Sequence, residues 1–494
     1  MSEHLLDHNE QYKQRCLNLA GLNEAGVDAY GSAFPGTARS LAVKAAFQDE
    51  EQPPRQVKVA GRIMLARNMG KAMFFTIQDE EGRIQCYASK NDLGDEGYKR
   101  LSKLDLGDII GVEGFVFRTK TGEITVHAQA YRVLSKALRP LPEKFHGLAD
   151  VETCYRQRYL DLIANEESRR VFKLRSAILR EIRRFLETDG YMEVETPMMH
   201  PIPGGATARP FVTHYNALDM KMYMRIAPEL YLKQLLVGGF EKVFEINRNF
   251  RNEGLSKQHN PEFTAIEVYQ AYGDCRSMMA LVEGMLRHVA QTVLGTLHID
   301  HGNGKVINLE APFRVATYHD LVRQGTVAEW FELPLAKRIE LARSYGLFIG
   351  DDWDDNDVNH EVYSKKIEHA LTQPTFVCRL PAYLVPLAKR CDDNPELVDV
   401  FEFVVDGREL APGYSELNDP VEQLKRLKAQ QEFTKGTEDE ESGTIDEGFL
   451  LALEHGMPPA GGMGLGIDRL IMLLTAAPTI RDVILFPQLK NDKA

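Results

Sequence analysis

The sequence predicts an α+β protein built from a small five-stranded β-barrel and a larger domain that mixes strands with helices. Three observations carry this. From Arg55 onward the chain reads as short strands separated by turns. From Glu166 to Thr188, Val171, Leu174, Ile178, Ile182, Phe185 and Leu186 recur at helical spacing. Beyond that helix, strand-like and helix-like stretches follow no regular βαβ order, and neither GxxxxGK[ST] nor a Rossmann fingerprint occurs. A nucleotide enzyme on this scaffold needs another way to hold phosphate.

A chain of 494 residues is too long for one core, so two to four domains are expected. Residues 1–54 read as a helical, partly polar extension ending near the acidic, proline-bearing stretch Gln48 to Pro54. The barrel is expected over 55–138, with strands at Val57 to Leu65, Ala72 to Gln78, Arg83 to Ala88, Asp108 to Phe117 and Ile124 to Val133. A helical interval near Asp92 to Leu104 falls between the third and fourth strands, and this order matches an OB-fold barrel. Residues 139–165 read as a linker that begins at the proline-bearing stretch Leu138 to Pro142. The second domain is expected over 166–494, where Asp189 and Gly190 stop the first helix and a strand follows over Tyr191 to Met198.

Bulk properties exclude several classes. No apolar run is long enough to span a bilayer, and the amino terminus MSEHLLDHNE is too acidic for a secretion signal, so a cytoplasmic location is expected. The six cysteines form no CxxC pair, which argues against a zinc site or a disulfide framework. A formal charge of -13 opposes indiscriminate binding to nucleic acid, so any such contact must be local. One basic segment exists: Arg55, Lys58, Arg62, Arg67 and Lys71 lie between Arg55 and Gln78 with no acidic residue, and Phe74 and Phe75 sit in the same stretch.

The segment Glu241 to Tyr272 reads as two antiparallel strands around the polar loop Gly254 to Asn260. Alternation puts Phe244, Ile246 and Phe250 on one face of the first strand, and Glu245, Asn247, Asn249, Arg251 and Glu253 on the other. In the second strand Ile266 and Val268 share the apolar side, opposite Phe263, Glu267 and Tyr269. The polar wall offers a guanidinium for phosphate or carboxylate, an aromatic for stacking, and carboxylates for amines. Further on, Asp406-Gly407 reads as a two-residue hairpin turn pairing Val405 with Arg408 and Val404 with Glu409. Glu402 and Glu409 then become diagonal neighbours on one side of the ribbon.

Three segments, REIRRFLETDGYMEVETPMM (180–199), FEINRNFRNEGLSKQHNPEFTAIEVYQAY (within 241–272) and GGMGLGIDRLIMLL (461–474), resemble in that order the class II aminoacyl-tRNA synthetase motifs, and the chain as a whole is similar to the bacterial class II lysyl-tRNA synthetases. The first resembles motif 1, ending at Pro197, the second motif 2 and the third motif 3. The resemblance implies an antiparallel sheet flanked by helices, in a homodimer whose interface includes motif 1. It implies that Arg251 and Arg469 are catalytic, with Arg251 bridging the amino-acid carboxylate and the ATP α-phosphate. Glu253 would read the adenine amino group, Phe263 would stack on the base, and Arg469 and His259 would hold phosphate. Glu402 and Glu409 would ligate magnesium (Mg2+).

The same resemblance assigns an L-lysine pocket to Gly205, Glu229, Glu267, Tyr269 and Glu416, whose carboxylates suit a ligand with two amines. Glu229 and the Gly205 backbone would hold the α-amine, with Tyr269 and Glu416 on the ε-ammonium and Glu267 nearby. VAGRIMLARNMGKAMFFTIQDEEGRIQCY resembles the family's anticodon-binding barrel, so Phe74 would stack on the central uridine of tRNA(Lys), Gln85 would read its edge, and Arg62 would contact the backbone or an adjacent base. Val385 and Pro412 depart from the family pattern, which often has serine and asparagine there. A ligase that lysylates a protein instead of tRNA lacks such a barrel. A catalytically dead scaffold would be expected to have lost Arg251, Arg469 or the paired glutamates.

Overall fold

Apolar residues on alternate positions of five strands leave one solution that buries them all, a closed barrel. In the computed structural model, which describes residues 10–49, 52–142, 150–310, 312–434 and 444–490, the strands are β1 (Gln56–Asn68), β2 (Ala72–Gln78), β3 (Arg83–Ser89), β4 (Ile109–Arg118) and β5 (Ile124–Ser135). They close in the order β1-β2-β3-β5-β4. Phe75, Ile77, Ile84, Cys86, Ile110, Val112 and Val126 point inward and are at most 1% exposed. By the same alternation Phe74, Tyr87, Phe115 and His127 face outward. Gly114 sits at a register shift between β4 and β5, where an added Cβ would meet the His127 carbonyl oxygen at 1.9 Å. Only glycine lets the two strands approach there.

The extension is less helical than its sequence suggests. It forms α1 (Glu10–Glu24) and α2 (Ser40–Ala45), and the interval between them is irregular because Gly31, Pro35 and Gly36 interrupt it. It packs on the barrel: Arg15 donates to the carbonyls of Ala137 and Arg139 at 3.1 and 3.2 Å, and the Phe34 ring fills the space over Gly111. Extension and barrel together make one compact unit, Met1–Ala149, separate from a second unit, Asp150–Ala494. Helix α3 (Lys90–Leu101) lies between the third and fourth strands of the barrel. Of the expected linker, residues 143–149 lie outside the described residues, and Val151–Arg156 and Arg158–Ala164 are helices of the second unit.

In the second unit α4 spans Glu166–Thr188, and the Gly190 residue that follows adopts a positive φ of 82°. Its stripe of Ile178, Ile182 and Leu186 is fully buried. The eight-stranded sheet is formed by β6 (Met192–Glu193), β7 (Lys242–Phe250), β8 (Glu262–Ala271), β9 (Arg314–Thr317), β10 (Thr375–Cys378), β11 (Val400–Val405), β12 (Arg408–Ser415) and β13 (Ala460–Gly466), in the order β9-β10-β11-β12-β13-β8-β7-β6. All pairs are antiparallel except the outermost pair at each end, β9 with β10 and β6 with β7. Both exceptions join strands separated by long excursions, which allow the parallel crossover that a hairpin cannot make. The excursion between β9 and β10 builds its own apolar cluster around Tyr318, Trp330 and Val358.

The strand expected over Tyr191 to Met198 is paired only at β6, since Pro197 and the neighbouring residues supply no further ladder. Helices α5 (Glu229–Val237), α6 (Cys275–Val289) and α7 (Ile467–Thr475) complete the elements that position the site. One core joins α4, α6 and α7 to the sheet residues Phe244, Ile266, Val268, Phe401, Phe403 and Leu465. A second, around Leu232, Leu236, Val243 and Phe449, seats α5. All six cysteines are free, and no helix among the described residues is long and apolar enough to cross a membrane.

Candidate functional site

Strands β7 and β8 pair with Phe244 opposite Val268 and Ile246 opposite Ile266, which commits that face to the core. The same register sets Glu245 opposite Glu267, Asn247 opposite Ala265 and Asn249 opposite Phe263. This polar face is not a solvated wall: Glu245, Asn247 and Asn249 are at most 3% exposed, and Glu267 is 8% exposed. Asn249, Phe263 and Glu267 of this face line a cavity of about 440 Å³, a volume suited to a small-molecule ligand.

Gly205, Glu229, Arg251, Glu253, His259, Phe263, Glu267, Tyr269, Glu409 and Arg469 all line this cavity, together with Pro412, Tyr414 and Gly462. Arg251 lies with its guanidinium carbon 5.2 Å from the Phe263 ring centroid, and its buried Nε has no hydrogen-bond partner among the described residues. Burial lowers its pKa, yet a guanidinium remains charged, so it presents an uncompensated donor to the cavity. Arg469 donates from Nη1 to the Glu409 carbonyl at 2.7 Å, and its Nη2 lies 3.2 Å from His259 Nε2. Because arginine only donates, His259 Nε2 accepts and Nδ1 carries the proton toward Ser256 Oγ, 2.8 Å away. Partial desolvation, then the Arg469 charge, lowers the His259 pKa and keeps the ring neutral.

Two predicted residues do not line the cavity. Glu402 stands behind Glu409 and accepts from Tyr363 Oη at 2.8 Å, with burial and then the Glu409 charge raising its pKa. The hairpin pairs Val405 with Arg408 and Val404 with Glu409 as expected, but a register shift between Phe403 and Val404 sets Glu402 opposite Pro412. Glu416 is 1% exposed and sits behind Gly462, where a Cβ would come within 1.9 Å of its Oε1. Its other oxygen, Oε2, lies 2.5 Å from Lys233 Nζ.

Sequence reasoning missed several residues. Lys233, one helical turn after Glu229, also pairs with that glutamate at 2.7 Å, a spacing that could have found it. Tyr414 donates to Glu229 at 2.6 Å. Arg225 is 1% exposed and bonds Glu245 at 2.6 Å, and Asp468 ties Arg175 of α4 to the Thr264 backbone N–H at 2.6 and 2.8 Å. No local pattern marks these last two, whose partners are distant in sequence.

On the barrel, Phe74 lies 5.0 Å from Tyr87, Tyr87 lies 5.0 Å from His127, and His127 stacks on Phe115 at 4.6 Å. Gln85 accepts from Thr125 Oγ1 at 2.9 Å, and Arg62 donates to the Gly107 carbonyl at 2.7 Å. The basic segment is less uniform than its sequence implies, because Lys58 pairs with Glu113 of the adjoining strand at 3.0 Å. What remains is an aromatic surface wider than the one phenylalanine predicted, the kind on which unstacked bases lie.

Burial, and next the Glu229 charge, push the Glu267 pKa from 4.5 up to about 8. The linkage has a definite sign. Below pH 4.5 the carboxyl is protonated in both folded and unfolded chains; as pH rises toward about 8 only the unfolded chain ionises, and stability is lost. Glu267→Gln removes this group, so its stability advantage over the parent should grow from pH 4.5 to about 8 and then level off. Denaturant midpoints across that range measure it; a pH-independent difference would contradict the buried, protonated carboxyl.

Residues 150–490 match the family described as tRNA synthetases class II (D, K and N), and residues 57–134 match the OB-fold nucleic acid binding domain. The chain is 51% identical to the lysine–tRNA ligase of Carboxydothermus hydrogenoformans, with 98% of each chain covered. It is 50% identical to that of Magnetococcus marinus, again covering 98% of each, and 48% identical to that of Salmonella typhi, covering 100% of this chain and 98% of the relative. With the segments resembling motifs 2 and 3 lining one cavity, an OB barrel beside them in sequence, and near-complete coverage at about half identity, the chain belongs to the lysine–tRNA ligase family of class II synthetases.

Proposed function

We propose that the protein activates L-lysine with ATP and transfers it to the 3′-terminal ribose of tRNA(Lys), using the cavity for both steps. The observation that carries this is one pocket holding a guanidinium whose buried Nε has no hydrogen-bond partner among the described residues, beside carboxylates buried too deeply to be solvated. Two anions, the lysine carboxylate and the ATP α-phosphate, must meet at bonding distance. Positive charge fixed in advance offsets their repulsion without reorganisation. Arg251 takes that role, bridging carboxylate and α-phosphate, while the adenine stacks on Phe263 and Glu253 accepts from its amino group. Arg469, braced on the Glu409 carbonyl, and His259, which offers a hydrogen-bonded neutral ring, hold the outer phosphates.

A carboxylate oxygen of lysine attacks the α-phosphorus, and the bond to pyrophosphate breaks. The ribose hydroxyl then attacks the lysyl carbonyl, giving up its proton, and AMP leaves. No side-chain nucleophile takes part. Pro412 offers no donor to the lysine carboxylate, so the charge-assisted bond from Arg251 carries that end of the ligand. Glu229 and the Gly205 backbone hold the α-ammonium. Tyr269, Glu267 and the free oxygen of Glu416 reached past Gly462 receive the ε-ammonium.

The Glu402–Glu409 pair suits a hard divalent cation such as magnesium: the donors are all oxygen, and burial, then the Glu409 charge, opposes ionisation of Glu402 in the absence of a cation. Among the described residues no group of three or more His, Cys, Asp or Glu is arranged to hold a metal alone. Glu402 and Glu409 would hold the ion together with substrate phosphates, and it would supply charge that offsets theirs. We further propose that the chain works as a cytoplasmic homodimer through motif 1, and that the aromatic face around Phe74 receives the anticodon.

ATP–pyrophosphate exchange with each amino acid tests the reading. Exchange should require lysine or a close cationic analogue, and Arg251→Ala should lower it by roughly 100-fold or more; equal exchange with aspartate or asparagine would sink it. Phe74→Ala should weaken tRNA charging by about 1–3 kcal/mol through one lost stacked base, leaving exchange nearly unchanged. Equal loss of both activities would remove the anticodon role.

A further inference from the structure

Lys233 has no task in the scheme above, yet its side chain is 0% exposed. Placing an ammonium there is costly, and a methionine would fill the same space without a buried charge. What the ammonium does is bridge: Nζ lies 2.7 Å from Glu229 Oε1 and 2.5 Å from Glu416 Oε2, and 5.5 Å from the Tyr414 ring centroid. Tyr414 in turn donates to the same Glu229 oxygen at 2.6 Å. Glu229 stands on α5 and Glu416 just beyond the end of β12, two elements with no other ionic link between these residues in the described structure.

Glu229 and Glu416 are the carboxylates assigned to the two ends of the amino-acid ligand. Lys233 pairs with Glu229 through Oε1 and with Glu416 through Oε2. Glu416 Oε1 has no hydrogen-bond partner and approaches the space over Gly462, which lines the cavity. An internal ammonium between the two carboxylates therefore sets both their rotation and their separation.

We infer that Lys233 is a positioning residue that fixes the distance between the α-ammonium and ε-ammonium acceptors, and so selects lysine by the length of its side chain. Ornithine, one methylene shorter, satisfies one acceptor at a time while Lys233 holds them apart. Two buried carboxylates, Glu229 and Glu416, face this one internal ammonium, while Glu267 lines the cavity beside Glu229. The inference rests on the cavity being the lysine pocket. Lysine-dependent exchange by the unaltered protein tests that separately.

The experiment compares ATP–pyrophosphate exchange by the full-length protein and by Lys233→Met, with lysine and with ornithine. The variant should raise the lysine KM about 10-fold and cut the lysine-to-ornithine ratio of kcat/KM by about 10-fold, within the range one methylene contributes. The ATP KM should stay within about twofold, since the nucleotide touches neither partner of Lys233. Lys233→Gln, which keeps a donor for one carboxylate but cannot bridge as a cation, should lower the ratio in the same way and serves where the methionine variant does not fold. An unchanged ratio in a folded variant, or an ATP KM that rises in step with the lysine KM, would overturn the inference.

Discussion

The second unit is arranged around a carboxylate buried directly opposite another carboxylate. Glu245 and Glu267 face each other across β7 and β8, an arrangement that like charges oppose. The structure resolves it unevenly. Glu245 receives the Arg225 guanidinium and the Thr196 hydroxyl at 2.6 and 2.7 Å, so its charge is compensated from within. Among the described residues Glu267 receives only the Tyr269 hydroxyl at 3.1 Å, and burial with the nearby Glu229 charge holds it protonated up to about pH 8. An arriving ammonium supplies what the protein withholds.

That asymmetry recurs through the cavity. Arg251 keeps a buried, unpartnered Nε, Glu416 keeps a free Oε1, and burial with the Glu409 charge opposes ionisation of Glu402. Left to themselves these groups destabilise the fold, because an unsatisfied buried polar atom costs about 1–3 kcal/mol. Their neighbours across the sheet are instead fully apolar, with Phe244, Ile266 and Val268 at 0% exposure, and that core offsets the strain. The first unit uses the opposite device. Its functional surface is aromatic and outward, so bases can stack on it despite a chain charge of -13.

Alternation in the sequence made much of this legible. The barrel strands, α4 and the two faces of β7 and β8 all follow from period-two or helical spacing, since burial on one face dictates residue type at each step. The residues of motifs 2 and 3 converge on one cavity, but Glu402 and Glu416 do not line it: a register shift sets Glu402 opposite Pro412 and Glu416 sits behind Gly462, and neither feature shows in local pattern. Arg225 and Asp468 are hidden for a related reason: each is defined by a partner brought close only by tertiary folding, whereas Lys233 sits at helical spacing from Glu229 and only its second partner, Glu416, is distant in sequence. The extension was read as too helical because a polar segment gives little periodicity, while Gly31, Pro35 and Gly36 govern its path.

The central claim is that the cavity's unmatched charges are complements of lysine and ATP, and a crystal structure of the protein with L-lysine and a non-hydrolysable ATP analogue tests it most directly. The account predicts the α-ammonium against Glu229, the ε-ammonium beside Tyr269 and Glu416, the carboxylate on Arg251 and the adenine against Phe263. Lysine lying with its carboxylate toward Glu267, or the nucleotide bound away from Arg251 and Phe263, would contradict it.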